Sequence, residues 1–84
     1  MPSYLVESYL ARSHGTDLND LAARARQAAE ALAQEGKNVK YLRSSFLPED
    51  EVCLHWFEAP SAALVDEATQ RAALVCDRIV EAVE

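Results

Sequence analysis

What this sequence lacks excludes several familiar functions. It has no CxxC pair of a structural zinc site, no HExxH helix, no glycine-rich phosphate loop and no dinucleotide fingerprint. Its 8 Lys and Arg residues are outnumbered by 14 Asp and Glu, for a formal charge of −6, which disfavours nucleic acid and anionic membranes as partners. No apolar run approaches the roughly 20 residues that span a bilayer, and nothing typical of a signal peptide follows Met1. We therefore expect a cytoplasmic protein with reduced thiols.

The length of 84 residues predicts a single domain, 1–84, with one small core. Half of the residues are hydrophobic, but many of these are alanines in helical stretches. A chain this short buries only about 60 to 65% of the surface that its unfolded form exposes. Its stability is therefore expected to be marginal, and a partner subunit would add to it.

Hydrophobic periodicity and turn residues divide the chain into six elements. The most regular segment begins at Leu18, where apolar residues recur at helical spacing, with Thr16 as the predicted N-cap and Gly36 as the terminating residue. Ser61 is the predicted N-cap of a second helix that extends to Leu74. Four segments have the composition of strands: residues 3–10, 39–47, 52–58 and 77–83.

The order strand, helix, strand, strand, helix, strand predicts an α+β fold of the ferredoxin-like type, βαββαβ. In this fold an antiparallel sheet of order 4-1-3-2 carries both helices on one face and leaves the other face uncovered. The strand at 52–58 lies in the centre of that sheet and has apolar residues on both faces. We therefore expect a homodimer through the open sheet face, because a self-complementary patch is the usual route to a twofold pair.

The central strand also carries the most reactive side chains. Cys53 and His55 alternate onto one face with Phe57. A thiolate with an imidazole suits nickel, zinc or copper, and Glu7 on the neighbouring strand is a candidate third ligand. The alternative is a buried cysteine acting as a small apolar residue beside a histidine satisfied in the dimer interface. A disulfide from Cys53 to Cys76 is not expected, because the first strand separates them by roughly 9 to 10 Å.

A second candidate site is a pocket between the sheet and a neighbouring subunit. Its predicted lining is Tyr9, Tyr41, Arg43, His55 and Phe57. Aromatic walls with one cation and a titratable histidine suit a small aromatic or anionic ligand, with His55 as a general base. The alternative is aromatic packing in an interface.

Four segments of the chain resemble one known family. They are Met1–Glu7, Cys53-Leu54, Glu58–Ser61 and Asp77–Val83, and the family they resemble consists of small bacterial proteins of uncharacterised function. The resemblance implies a ferredoxin-like fold and, through a dimeric nickel-binding member, a nickel site. That branch carries histidines at the end of the first strand and in the second helix.

This chain departs from the nickel-binding pattern of that family. Ser8 and Tyr9 stand at the end of the first strand, and the segment from Ser61 to Leu74 has no histidine. Cys53 is the ligand position that carries over, and His55 is an addition. The resemblance therefore implies a shared scaffold more directly than a shared ligand.

Taken together, the residues and the resemblance predict a small non-enzymatic binding or interaction module, with nickel or zinc as the candidate ligand. The alternative is a cofactor-independent dimeric enzyme, a small oxygenase or isomerase. Such an enzyme requires an enclosed pocket of about 300 Å³ or more. A third interpretation is a small assembly partner of another protein.

Overall fold

A four-stranded antiparallel sheet forms the base of the structure, a computed structural model in which residues 1–83 are described. Its order is β2-β3-β1-β4, which is the predicted order read from the opposite edge, so the ferredoxin-like α+β fold is confirmed. The strands are β1 Ser3–Tyr9, β2 Lys40–Leu47, β3 Val52–Glu58 and β4 Arg78–Ala82. Each lies within one residue of its predicted bounds.

Two helices cover one face of the sheet: α1, Leu18–Gln34, and α2, Ala62–Arg71. The prediction of Thr16 as the N-cap of α1 is wrong. Thr16 lies inside a 3-10 helix, Arg12–Asp17, that leads directly into α1. The N–H of Leu18 donates to the carbonyl of Gly15 within that turn. A backbone carbonyl therefore takes the place of a capping side chain as the acceptor of this hydrogen bond.

The end of α1 follows the sequence prediction. Gly36 has φ of +86°, a left-handed conformation in which a Cβ atom is unfavourable. Its N–H donates to Ala33 O at 3.0 Å, and the N–H of Lys37 donates to Leu32 O at 3.0 Å. This pair of bonds is the Schellman arrangement, which satisfies the last carbonyls of the helix.

The bounds of α2 agree with the prediction at the start and differ at the end. The Ser61 hydroxyl accepts a hydrogen bond from the Leu64 N–H at 3.4 Å, as expected of an N-cap. The helix ends at Arg71, before the predicted Leu74. Ala73 then adopts φ of +55° and closes a second Schellman turn without a glycine, which is why the sequence gives no stop signal there.

The core lies between the helices and the covered face of the sheet. Val6, Phe57 and Leu32 are all 0% exposed, and the ring of Tyr41 meets that of Phe57 edge-on with centroids 5.8 Å apart. Alanines of both helices complete this layer: Ala25, Ala29 and Ala68. Because alanine side chains are small, the helices lie close to the sheet.

In the part of the chain that the structure describes, residues 1–83, no helix lies over the opposite face of the sheet. Leu5 of β1 is paired in register with Trp56 of β3 on one side and with Val80 of β4 on the other. These three half-buried side chains form an apolar row across the sheet, which we call the open-face row. Within residues 1–83, no helix has the length and apolar content needed to cross a bilayer.

Candidate functional site

A chain of four hydrogen-bonded side chains runs beneath the helices. The Tyr41 and Ser44 hydroxyl oxygens are 2.7 Å apart, and Ser44 Oγ lies 2.6 Å from Nδ1 of His55. The other ring nitrogen of His55, Nε2, lies 3.5 Å from the Cys53 sulfur. Cys53 and His55 are both 0% exposed, so the thiol and the imidazole rely on each other and on Ser44 for their polar contacts.

The pleat of β3 brings Cys53 and His55 together. Residues two apart on a strand point to the same face, and here that face is the one under the helices. The sequence left open which face this is. The alternative in which a dimer interface satisfies His55 is wrong, because Cys53, His55 and Phe57 are already fully buried within one chain.

Ser44 was missed by sequence reasoning. Tyr41 and Ser44 are an odd number of residues apart, so strict alternation along β2 predicts them on opposite faces. The register of β2 against β3 shifts between Tyr41 and Arg43, and this irregularity places Tyr41 opposite Phe57 and Ser44 opposite His55. A β-bulge of this kind leaves no clear signal in a single sequence.

Burial sets the protonation of the pair. It lowers the pKa of His55 to about 4 and raises the pKa of the Cys53 thiol, because a low-dielectric interior disfavours both charged forms. At neutral pH the site therefore holds a neutral imidazole and a protonated thiol. One ring nitrogen is a donor and the other an acceptor, and the thiol and the Ser44 hydroxyl complement whichever tautomer is present.

The pair matches a soft divalent metal in donor type and spacing. Ligand bonds of about 2.3 Å for sulfur and 2.1 Å for nitrogen place the two donors about 3.6 Å apart at a tetrahedral angle, close to the 3.5 Å between Cys53 Sγ and His55 Nε2. Within residues 1–83, however, no group of three or more His, Cys, Asp or Glu side chains is placed to hold an ion. One chain thus supplies two donors.

Glu7, the expected third ligand, is on the other side of the sheet. It is paired with Leu54, not with Cys53 or His55, so its side chain points to the open face. There its carboxylate accepts from Nε of Arg78 at 2.9 Å. Cys76 is also a free cysteine, and it packs against the edge of the core.

The five residues predicted to line a ligand pocket are divided among three places. Tyr41, His55 and Phe57 lie under the helices. Arg43 is on the open face, where its guanidinium stacks 4.4 Å from the centroid of the Trp56 ring. Tyr9 is 61% exposed at the end of β1, where it lines a small cavity together with His55. The structure therefore does not bring these five side chains around one pocket.

This small cavity lies beside His55. It has a volume of about 180 Å³ and opens between the end of β1, the first turns of α1 and the segment after α2. Side chains that matter to its chemistry are those of Ser8, Leu21, Arg24, His55 and Leu74. This volume is below the roughly 300 Å³ expected of the enzyme alternative.

Comparison with known proteins bears on this site. The sequence matches the family described as nickel responsive protein SCO4226-like over residues 4–82. The chain belongs to this family. It is similar in structure to SCO4226 from Streptomyces coelicolor A3(2), seen in a crystal structure, with a TM-score of 0.72, 22% sequence identity, and coverage of 95% of this chain and 94% of that one. At this identity the likeness shows the fold, and no curated protein matches the chain.

Membership in the SCO4226-like family confirms the resemblance found in the sequence. The family description supports a small module connected with nickel. In this chain the sulfur of Cys53 and Nε2 of His55 lie 3.5 Å apart under the helices.

Proposed function

We propose that this chain is a small, non-enzymatic metal-binding module that works as a homodimer. Its metal donors are the sulfur of Cys53 and Nε2 of His55, and the metal is nickel or zinc. The observation that carries the proposal is the 3.5 Å contact between these two atoms, which a rigid strand holds at the spacing of two ligands of one ion.

The protonation state of His55 supports its assignment as a metal donor. Since the pKa of His55 is lowered to about 4, the imidazole is unprotonated at neutral pH and its lone pair is available to a metal. The thiol of Cys53 must lose a proton on binding. One chain supplies two protein donors, so the affinity is expected to be modest.

A catalytic role is less well supported. The Ser44–His55 contact resembles a nucleophile and its base, but Ser44 is not part of the wall of the cavity beside His55 in the described residues. The hydroxyl of Ser44 is also engaged with Tyr41. A substrate held in that cavity would therefore not reach the hydroxyl of Ser44.

The dimer part of the proposal rests on the open-face row of Leu5, Trp56 and Val80. These side chains are aligned in register across three strands, and Arg43 and the Glu7–Arg78 pair surround them with charge. An apolar centre with a polar rim is the usual anatomy of a subunit interface. A second copy, placed face to face by a twofold axis, would cover the row with an identical one.

Calorimetric titration with nickel and zinc salts tests the metal site. We expect heat of binding for the wild type, its loss in Cys53→Ser, and its retention in Cys76→Ser, which removes the other free thiol as a matched control. Absence of binding by the wild type, or equal loss in both variants, would contradict the assignment.

Sedimentation equilibrium tests the dimer. The wild type is expected to be dimeric at micromolar concentration, and Leu5→Glu is expected to be monomeric. Gln27→Glu adds the same charge on the exposed side of α1 and should leave the dimer intact. A monomeric wild type would mean that the open face is solvated.

A further inference from the structure

The cavity beside His55 has apolar walls and is large enough to hold one small aromatic ring. Leu21 of α1 and Leu74, which follows α2, form part of its lining, and its volume is about 180 Å³. An apolar protein cavity of about 150 Å³ is large enough for benzene. The residues that follow the end of α2 at Arg71 form one side of the cavity, which is lined there by Ala73, Leu74 and Val75.

One cation stands in the wall of this cavity. The Arg24 guanidinium is fixed by the end of α2: Nε donates to Ala72 O at 3.0 Å, and Nη2 donates to Ala73 O. Its third contact is with Asp20 across 3.4 Å. A guanidinium carries more N–H groups than these contacts use, so donors remain for a ligand.

The charge of Arg24 is only weakly balanced. The side chain of its partner Asp20 is 74% exposed, so water screens that ion pair. Within residues 1–83, the lining of the cavity has no carboxylate. Ser8, 8% exposed, contributes a hydroxyl. The cavity therefore combines the positive charge of Arg24 and the hydroxyl of Ser8 with apolar walls.

We propose that this cavity binds a small monocarboxylic acid of about benzoate size, with its carboxylate on Arg24 and its apolar part against Leu21 and Leu74. A planar guanidinium matches a carboxylate in geometry, and an apolar body of this size fills the space between the leucines. The site adjoins the proposed metal donors through His55, which belongs to its lining, whereas the Cys53 sulfur takes no part in it.

The test is a titration of the metal-free, ¹⁵N-labelled protein with sodium benzoate, followed by amide chemical shifts. We expect saturable shifts at Ser8, Leu21 and Leu74, with a dissociation constant in the millimolar to high micromolar range, as befits a ligand of few atoms. Benzyl alcohol, a neutral molecule of similar shape, should bind at least about tenfold more weakly. Absence of saturation, or equal affinity for the alcohol, overturns the proposal.

Two variants locate the site. Arg24→Gln should weaken benzoate binding about tenfold or more, while Arg26→Gln, on the same helix but over the Tyr41 ring at 5.4 Å, should not change it. An equal effect of the two overturns the proposal. Since Arg24 also holds α2, a second variant, Leu21→Phe, keeps the cation and fills the cavity. Leu21→Phe should abolish the chemical-shift changes caused by benzoate. Unchanged benzoate binding in this variant would overturn the proposal.

A further variant separates this proposal from the metal site. Cys53→Ser should bind benzoate as the wild type does, while losing the heat of nickel or zinc binding. Loss of benzoate binding in Cys53→Ser would show that the two sites are one and overturn the assignment to Arg24.

Discussion

Nδ1 of His55 lies 2.6 Å from the hydroxyl oxygen of Ser44, across the β2–β3 pair. This contact fixes the imidazole on one side, and the Cys53 sulfur faces it on the other. Because the ring is buried and uncharged, it contributes to stability only while it stays unprotonated.

Stability should therefore fall in acid. The folded-state pKa of His55 is about 4, below the ordinary 6.5. Between these two values the imidazole is protonated in the unfolded chain and unprotonated in the folded chain. This stability is present above pH 6.5 and is lost as the pH falls towards about 4, by up to about 3 kcal/mol. Urea unfolding across this range measures it.

The matched control for this pH effect is the second histidine. His14→Gln removes an exposed side chain whose imidazole faces Asp17 at 3.5 Å, and it should leave the pH dependence unchanged. His55→Gln should be less stable at neutral pH and should show a shallower decline. A decline of the same steepness in His55→Gln would show that other groups cause it.

Ser44→Ala should destabilise the protein by about 1 to 3 kcal/mol, since it leaves His55 Nδ1 without its partner in a buried place. Ser45→Ala makes the same chemical change one residue later, opposite Leu54, and should cost less than about 0.5 kcal/mol. Urea midpoints at constant slope give both values. Equal costs would mean that the Ser44 hydroxyl does not support the imidazole.

Ala73→Gly should stabilise the protein by about 0.5 to 1 kcal/mol. Ala73 has φ of +55°, a conformation that costs a residue with a Cβ roughly 1 to 2 kcal/mol, and glycine recovers part of that cost after its larger loss of entropy. Ala23→Gly, within α1, should instead destabilise by about 1 kcal/mol. Thermal unfolding of the two variants distinguishes the signs, and a destabilised Ala73→Gly would contradict the strained turn.

Gly15→Ala should destabilise the protein by about 1 to 3 kcal/mol. A Cβ at position 15 would lie 2.8 Å from Cε2 of the Phe46 ring, closer than two carbon atoms approach. Phe46→Leu in the same chain should recover part of the loss, because the shorter side chain makes room. A double-mutant cycle by urea unfolding measures the coupling, and additive effects would show that the contact is not the cause.

Nickel or zinc affinity should rise with pH. The imidazole is already unprotonated above its pKa of about 4, whereas burial raises the pKa of the Cys53 thiol. Binding therefore releases one proton, and the affinity should increase roughly tenfold per pH unit while the thiol stays protonated. Calorimetry in two buffers of different ionisation enthalpy counts the proton. Release of none would mean that sulfur is not a ligand.

The sequence predicts the fold well because periodicity reports which residues share a face. The helical spacing from Leu18 and the alternation of Cys53, His55 and Phe57 both describe local geometry, and both are found. Which face of β3 is covered depends on the packing of the whole chain. Since Trp56 and Phe57 are both large and apolar, alternation could not decide between them.

The parts of the site that sequence reasoning missed arise from long-range or irregular features. Ser44 reaches His55 only through the register shift in β2. Glu7 fails to join Cys53 because the pairing of β1 with β3 places it opposite Leu54, and pairing between strands far apart in sequence is not encoded locally. In the sequence, Arg24 looks like any charged residue on the surface of a helix. Its contacts with Ala72 and Ala73 at the end of α2 form only in the folded chain.

The link from Arg24 to the carbonyls of Ala72 and Ala73 has a consequence for motion. A helix as short as α2 would normally fray at its last turn, and the strand after it would loosen with it. Here Arg24 of the longer helix donates to the carbonyls of Ala72 and Ala73, directly after that turn, so we expect the turn to open when this contact with α1 breaks. The amide hydrogens of Ala73 and Leu74, which bond to Gln70 and Thr69, should consequently exchange with solvent slowly and in step with those of α1.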